Sequence, residues 1–249
     1  LWNISRYILS QNSPLPPSLL KRGEGEGEFQ PKTLADEWIL YRLGETVSEV
    51  DEKLKKFDFG GAGEALLKFT WDDLADWYIE ISKILSVPAL PAGRRQAGKN
   101  LPRRSEKSNS QQILPHILTK LLTLWHPFIP FVTEHIWSQF SKDFLMIQEY
   151  PKPEVVPLRG ISRREKGRPP AERAGRSEAG QKFQTLRNLI TALRNLRSEY
   201  RRDPKETFAS YLELPKDLSW IKEQTAIIEK LARVKLNFEA MDETKKMPY

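Results

Sequence analysis

Apolar residues recur at helical spacing through most of the chain. Leu1 to Ser10 reads as the end of a helix, with Trp2, Ile4, Tyr7, Ile8 and Leu9 apolar and Asn3 and Arg6 three apart on another face. Thr33 to Lys56 is a longer amphipathic helix. Leu34, Trp38, Tyr41 and Glu45 follow one helical row, and Leu43, Val47, Val50 and Leu54 another. Thr33 can cap it, with Asp36 three residues on as a near relative of the capping box. The glycine turn at Lys56 to Gly61 is expected to stop it. Ala62 to Leu85 is the next helix, with a stripe of Leu66, Phe69, Leu74, Trp77, Tyr78 and Ile81. Ile113 to Trp125 and Pro130 to Phe140 form a helical pair bent by proline, which breaks the hydrogen-bond ladder. Phe183 to Arg202 is a further long helix.

After Pro204 the period changes. Thr207 to Leu214 alternates, Leu218 to Leu231 is helical, and Val234 to Phe238 alternates again. The pattern predicts a mainly α fold: an antiparallel bundle of about five helices with a small α/β appendage. Residues 1–203 are assigned to the bundle and 204–249 to the appendage.

Three stretches interrupt this periodicity, at about 11–30, 88–112 and 158–182. They are rich in Pro, Gly, Ser, Arg or Glu and are expected to be disordered, because they bury too little apolar surface to offset ordering entropy. They also account for the charge. The chain carries +7, while 88–112 and 158–182 carry +5 each, leaving about −3 for the rest. The basicity therefore lies outside the predicted folded body. These segments are either solvated linkers or flexible basic arms that touch RNA backbone.

Composition narrows the function classes. With no cysteine among 249 residues, disulfides and thiolate metal sites are excluded. His116, His126 and His135 lack metal-ligand spacing. No apolar run reaches the roughly 18 to 20 residues of a membrane helix, so no membrane partner is expected. No secretory signal is visible, and a cytoplasmic location is expected. The chain opens at Leu1-Trp2 inside an apolar pattern and reads as cut from something longer.

Four blocks resemble the region that follows the catalytic core of valyl-tRNA synthetases, which are class I aminoacyl-tRNA synthetases. They are L-W-N-I-S-R-Y at Leu1 to Tyr7; L-A-D-E-W-I-L-Y-R-L at Leu34 to Leu43 with the turn at Phe57 to Phe59; F-T-W-D-D-L-A-D-W-Y-I-E-I-S-K at Phe69 to Lys83; and H-P-F-I-P-F-V-T-E-H-I-W at His126 to Trp137. Weaker matches follow at Leu145 to Pro151 and Leu193 to Pro204. The blocks come in family order and cover nearly every segment read as folded. The W-D-D-L-A-D-W-Y block resembles the valyl branch more than the isoleucyl, leucyl or methionyl branches. Departures are Glu37, where the family often has Arg, His135, where a second Glu is common, and the three inserts.

The resemblance implies an anticodon-binding domain that docks on the stem-loop of a tRNA, tRNA(Val) by the branch, beside a catalytic domain of the same synthetase. The catalytic H-I-G-H and K-M-S-K-S motifs do not occur; Lys245-Lys246-Met247-Pro248 is only superficially similar to the second. The chain alone is expected to be inactive, with no cofactor of its own. ATP and Mg would belong to the catalytic domain.

On this reading the candidate tRNA contacts are Trp2, Asn3, Arg6, Trp38, Arg42, Arg187, Arg194, Arg197 and Arg201. Arginine binds phosphate or a base edge, and an aromatic ring stacks on an unpaired base. Trp38 and Arg42 lie at i and i+4, a ring beside a guanidinium. Arg187, Arg194 and Arg201 recur every seven residues with Arg197 close to their side, giving one basic flank. The alternatives are plain: Trp2 and Trp38 as core, and the arginines as partners of acidic helix faces. Trp71, Trp77 and Tyr78 are expected in the core, and Asp72, Asp73, Asp76 and Glu80 on a helix surface. The other functional classes are an isoleucyl- or leucyl-type anticodon domain, a helical protein-interaction module, and a non-functional fragment.

Overall fold

The computed structural model describes residues 1–11, 31–85, 110–152, 178–201 and 206–238. The expected disordered inserts fall largely on 12–30, 86–109 and 153–177, outside the described residues. Their inner ends are helical instead: Ser110 to Gln112 begin one helix and Glu178 to Lys182 another. For the second helix the reason is apolar spacing that continues outward, since Ala179 lies four before Phe183 and both are buried.

The chain forms two compact units, the first from described residues of 1–86 and 106–183, the second from 184 onward. In the first, α1 (Trp2–Ser10) buries Ile4, Ser5 and Ile8. α2 (Leu34–Lys55) starts at a true capping box: the Thr33 hydroxyl accepts from the Asp36 N–H, and the Asp36 carboxylate accepts from the Thr33 N–H. Ala35, Trp38, Ile39, Leu40, Tyr41 and Leu43 are all buried, so the first half of α2 is enclosed on nearly every side.

Phe57 turns the chain with a left-handed φ of 58°. α3 (Phe59–Lys68) then begins earlier than the glycines suggest. Gly60 and Gly61 open the helix rather than end one, because the Asp58 carboxylate accepts the Gly61 N–H at 2.9 Å. A Cβ on Gly61 would come within 2.2 Å of that carboxylate. α3 runs unbroken into a wide π segment (Phe69–Ile79) and a last α stretch, α4 (Glu80–Leu85). The Thr70 hydroxyl donates to the Leu66 carbonyl at 2.7 Å and accepts from the Trp125 indole at 3.1 Å. Competition for the carbonyl ladder at that point accompanies the widening.

α5 (Ser110–Trp125) carries Pro115 and ends before Pro127; α6 (Pro130–Trp137) starts with its proline at N1. α2 packs on α3, the π segment and α5, and α1 packs on α5 and α6. α7 (Glu178–Glu199) opens in the first unit, where Phe183 stacks on Trp38 at 3.9 Å and meets Trp77 edge-on at 6.4 Å.

In the second unit, β1 (Phe208–Tyr211) and β2 (Val234–Asn237) pair in parallel, Phe208 opposite Val234. A 3-10 stretch (Lys216–Gln224) and α8 (Thr225–Ala232) connect them. The strands are shorter than the alternation suggested, and half of the connecting helix is 3-10. The architecture is the expected one, mainly helical with a small α/β element.

Candidate nucleic-acid interface

α1 is short, and its two faces are cleanly divided. Ile4 and Ile8 point into the bundle, while Trp2, Asn3 and Arg6 fall within about 100° of one another on the exposed side. Trp2 is 41% exposed and stacks on His135 of α6, with centroids 5.6 Å apart and planes 23° apart. Phe131, one helical turn before His135, is also exposed.

The support under this surface is well fixed. The Thr133 hydroxyl bonds the carbonyls of Ile129 and Pro130 and the Nδ1 of His126. The Glu134 carboxylate accepts the Leu145 N–H at 2.9 Å and 3.1 Å, and the Trp137 indole donates to the Asp143 carbonyl at 2.8 Å. His126 thus packs within the helix bend. His135 and Phe131 were not singled out as contacts. Their i, i+4 spacing is ordinary, and only the approach of α1 brings His135 beside Trp2.

Trp38 is a correction. It is 3% exposed, sandwiched against Phe183, and cannot receive a base. Arg42 is also a correction. Its Nε donates to Asp73 at 2.9 Å and its Nη1 to Glu45 at 2.6 Å, so its guanidinium is turned into the bundle. Burial pulls the Arg42 pKa down, but the two carboxylates more than offset it and the value is raised. Burial pushes the Glu45 carboxyl up, against the pull of Arg42 and of the Tyr41 hydroxyl. Asp73, expected on a helix surface, is buried for the sake of this pair. Tyr78, with Trp77, is in the core as expected, and its hydroxyl donates to buried Asp36 at 2.8 Å. Trp71 is not in the core: it is 55% exposed.

The arginine helix divides likewise. Arg197 Nη2 donates to the carbonyls of Glu206 and Arg233, both at 2.6 Å, and its guanidinium lies over the Phe208 ring at 5.3 Å. Arg194 Nε donates to the Leu231 carbonyl at 3.1 Å. Both guanidinium groups therefore meet the C-terminal end of α8, where helix carbonyls lack partners and positive charge is favoured. Arg201 stays exposed, and Arg187 is half-buried. The seven-residue repeat does not present one continuous basic flank.

The residues that share this exposed surface are Trp2, Asn3 and Arg6 of α1 and His135 of α6, with the exposed Phe131 one turn before His135. The family described as anticodon-binding domain of tRNA ligase matches residues 36–214. The valine–tRNA ligase of Geobacillus stearothermophilus is 33% identical over 214 residues, covering 86% of this chain and 20% of that protein. That of Streptococcus pyogenes serotype M18 (strain MGAS8232) is 33% identical over 204 residues, 80% of this chain and 19% of the ligase. That of Streptococcus thermophilus (strain CNRZ 1066) is 32% identical over 202 residues, with the same shares of 80% and 19%. The chain thus spans about a fifth of the length of these relatives. The match runs through α2 to β1 and takes in the bundle core built on Trp38, Trp77 and Phe183, so the chain belongs to the family of anticodon-binding domains of tRNA ligases.

Proposed function

We propose that the chain recognises the anticodon stem-loop of tRNA(Val) as part of a valine–tRNA ligase. The observation that carries this reading is the Trp2–His135 stack, with Asn3 and Arg6 beside it on a rigidly supported and exposed surface. An exposed indole backed by a second ring offers a stacking plane to an unpaired base. Arg6 supplies charge for phosphate or a base edge, and Asn3 supplies a donor and an acceptor.

The chain's share of the reaction is recognition rather than bond-making. Amino-acid activation, with ATP and Mg, belongs to a catalytic portion beside it. No helix among the described residues is long and apolar enough to cross a membrane. A cytoplasmic site of action is part of the proposal, since charging of tRNA takes place where translation does.

Filter binding tests it: the purified chain against valine tRNA, leucine tRNA and a valine tRNA with a swapped anticodon, at two salt concentrations. Selective binding that is lost on anticodon exchange is the expected result. Equal, salt-labile binding to all three would overturn specific recognition and leave only backbone attraction.

A further inference from the structure

The imidazole of His135 and the indole of Trp2 meet where α6 approaches α1, and both residues are exposed. Their planes lie 23° apart, a stacked arrangement rather than an edge contact. The face of an indole carries negative potential, so it accepts either a second ring or a cation. His135 can be both. Neutral, its imidazole is one more ring in the stack. Protonated, it is a cation held against the indole. Imidazole is the side chain whose ordinary ionisation, near about pH 6.5, moves between these two forms in the physiological range.

The charged groups on the elements around the pair fall into place on this reading. α1 brings exposed Arg6 and the Leu1 amino group, whose pKa burial lowers. On α6 the adjacent carboxylate is Glu134, and it is engaged elsewhere: it accepts the Leu145 N–H and stands 4.0 Å from the His126 Nδ1. α5 packs on both helices and carries His116 and Lys120, which line a small cleft with Leu40, Leu43 and Val47 of α2. The 3-10 turn Leu145–Ile147 also packs on α6 and has no charged residue; Lys142 and Asp143 before it are exposed. On the exposed side of α1, Arg6 is thus the standing cation, and His135 is the one that comes and goes with pH.

We propose that His135 is a proton-dependent binding residue of the tRNA surface: neutral, it backs the Trp2 indole, and protonated, it adds a second cation, after Arg6, for the RNA backbone. This rests on the anticodon-binding function, and the test separates the two. Protonation and RNA binding favour one another, because only the charged imidazole attracts phosphate. Affinity is therefore highest below the imidazole range and falls as pH rises through it. Filter binding of the full chain to valine tRNA at about pH 5.5 and about pH 8 reads this directly. The expected affinity is about threefold higher at the lower pH, the scale of one exposed charge pair, with a steeper salt dependence. His135→Phe keeps a ring against Trp2 but cannot ionise, and its affinities at the two pH values are expected to be equal. His135→Ala also loses the pH response, and at the higher pH it binds less tightly than His135→Phe because the indole has lost its backing ring. A parent chain without a pH response overturns the proposal. So does a response that survives in His135→Phe, which would put the proton on His116, His126 or the RNA. Equal binding by the two variants at the higher pH overturns the backing role. Leucine tRNA and the anticodon-swapped valine tRNA run alongside. Selective binding with a flat pH profile defeats this proposal alone. Unselective binding whose pH response His135→Phe abolishes defeats anticodon recognition and leaves the proton-linked contact with RNA backbone standing. Melting profiles of the three proteins serve as the folding control and are expected to coincide at each pH, because position 135 is exposed.

Discussion

Trp2 and Trp38 each stand four residues before an arginine, and the two pairs have opposite fates. Trp2 and Arg6 lie on the outer side of a nine-residue helix that buries only its other face. Trp38 and Arg42 lie on a 22-residue helix enclosed by α3, the π segment and α5. The ring of Trp38 goes into the core, and Arg42 follows it inward because Asp73 and Glu45 are there to receive it. Helical spacing says which residues share a face. It does not say whether that face meets solvent or protein, and the chemistry of the pair depends on the second question.

The comparison breaks most directly at Arg42. Arg42→Ala leaves the Asp73 carboxylate buried without its guanidinium, and urea unfolding should show a loss of about 3–5 kcal/mol. The folded fraction should keep its tRNA affinity; a specific loss of binding with unchanged stability would mean that Arg42 faces RNA after all. Trp2→Ala sharpens the other side. It should weaken valine tRNA binding by about 1–3 kcal/mol, the range for losing one stacked base. The unfolding free energy in urea should change little, by about 0.5 kcal/mol at most. Arg6→Ala is expected to act through charge, lowering the slope of log affinity against log salt by about one while leaving stability alone. A slope unchanged from the parent would remove Arg6 from the phosphate contacts.

The smallest effect lies beneath α2. Tyr150 has a buried hydroxyl without a hydrogen-bond partner, and burial, with Asp51 adding to it, pushes its pKa up to about 12. Because the folded value is raised above the usual phenol value of about 10, its contribution to stability is present in full below pH 10 and is lost as pH rises through 12. Tyr150→Phe should abolish that alkaline loss and otherwise change stability by no more than about 1 kcal/mol. Absorbance titration of the parent, reading phenolate, checks the late ionisation.

The helices, their order and the family were legible because apolar spacing and short blocks survive without knowledge of neighbours. Thr33 and Asp36 even announce their own capping box. The burial of Asp73 was not legible, because an acid in W-D-D-L-A-D-W-Y looks the same whether it faces water or an arginine 31 residues away. Trp71 was misplaced for a related reason: aromatic residues usually build cores, and the row it shares with Phe59 and Leu67 is read only once both sides of the helix are known. The π segment hid the phase at that point, since its wider turn departs from the 3.6-residue period. Arg197 failed as a basic-flank residue because its acceptors are backbone carbonyls, to which the local sequence gives no clue. His135 gained meaning only from the helix that approaches it.

The parallel pairing of β1 with β2 also has a consequence in time. Phe208 leaves the ribosome 26 positions before its partner Val234. At about 5–20 residues per second, that is a wait on the order of 1–5 s. During it the backbone of β1 is an open strand, with no other strand among the described residues before it to join. A nascent chain stalled within α8 would hold that strand unpaired for as long as the stall lasts, and any neighbouring strand edge could take the place meant for β2.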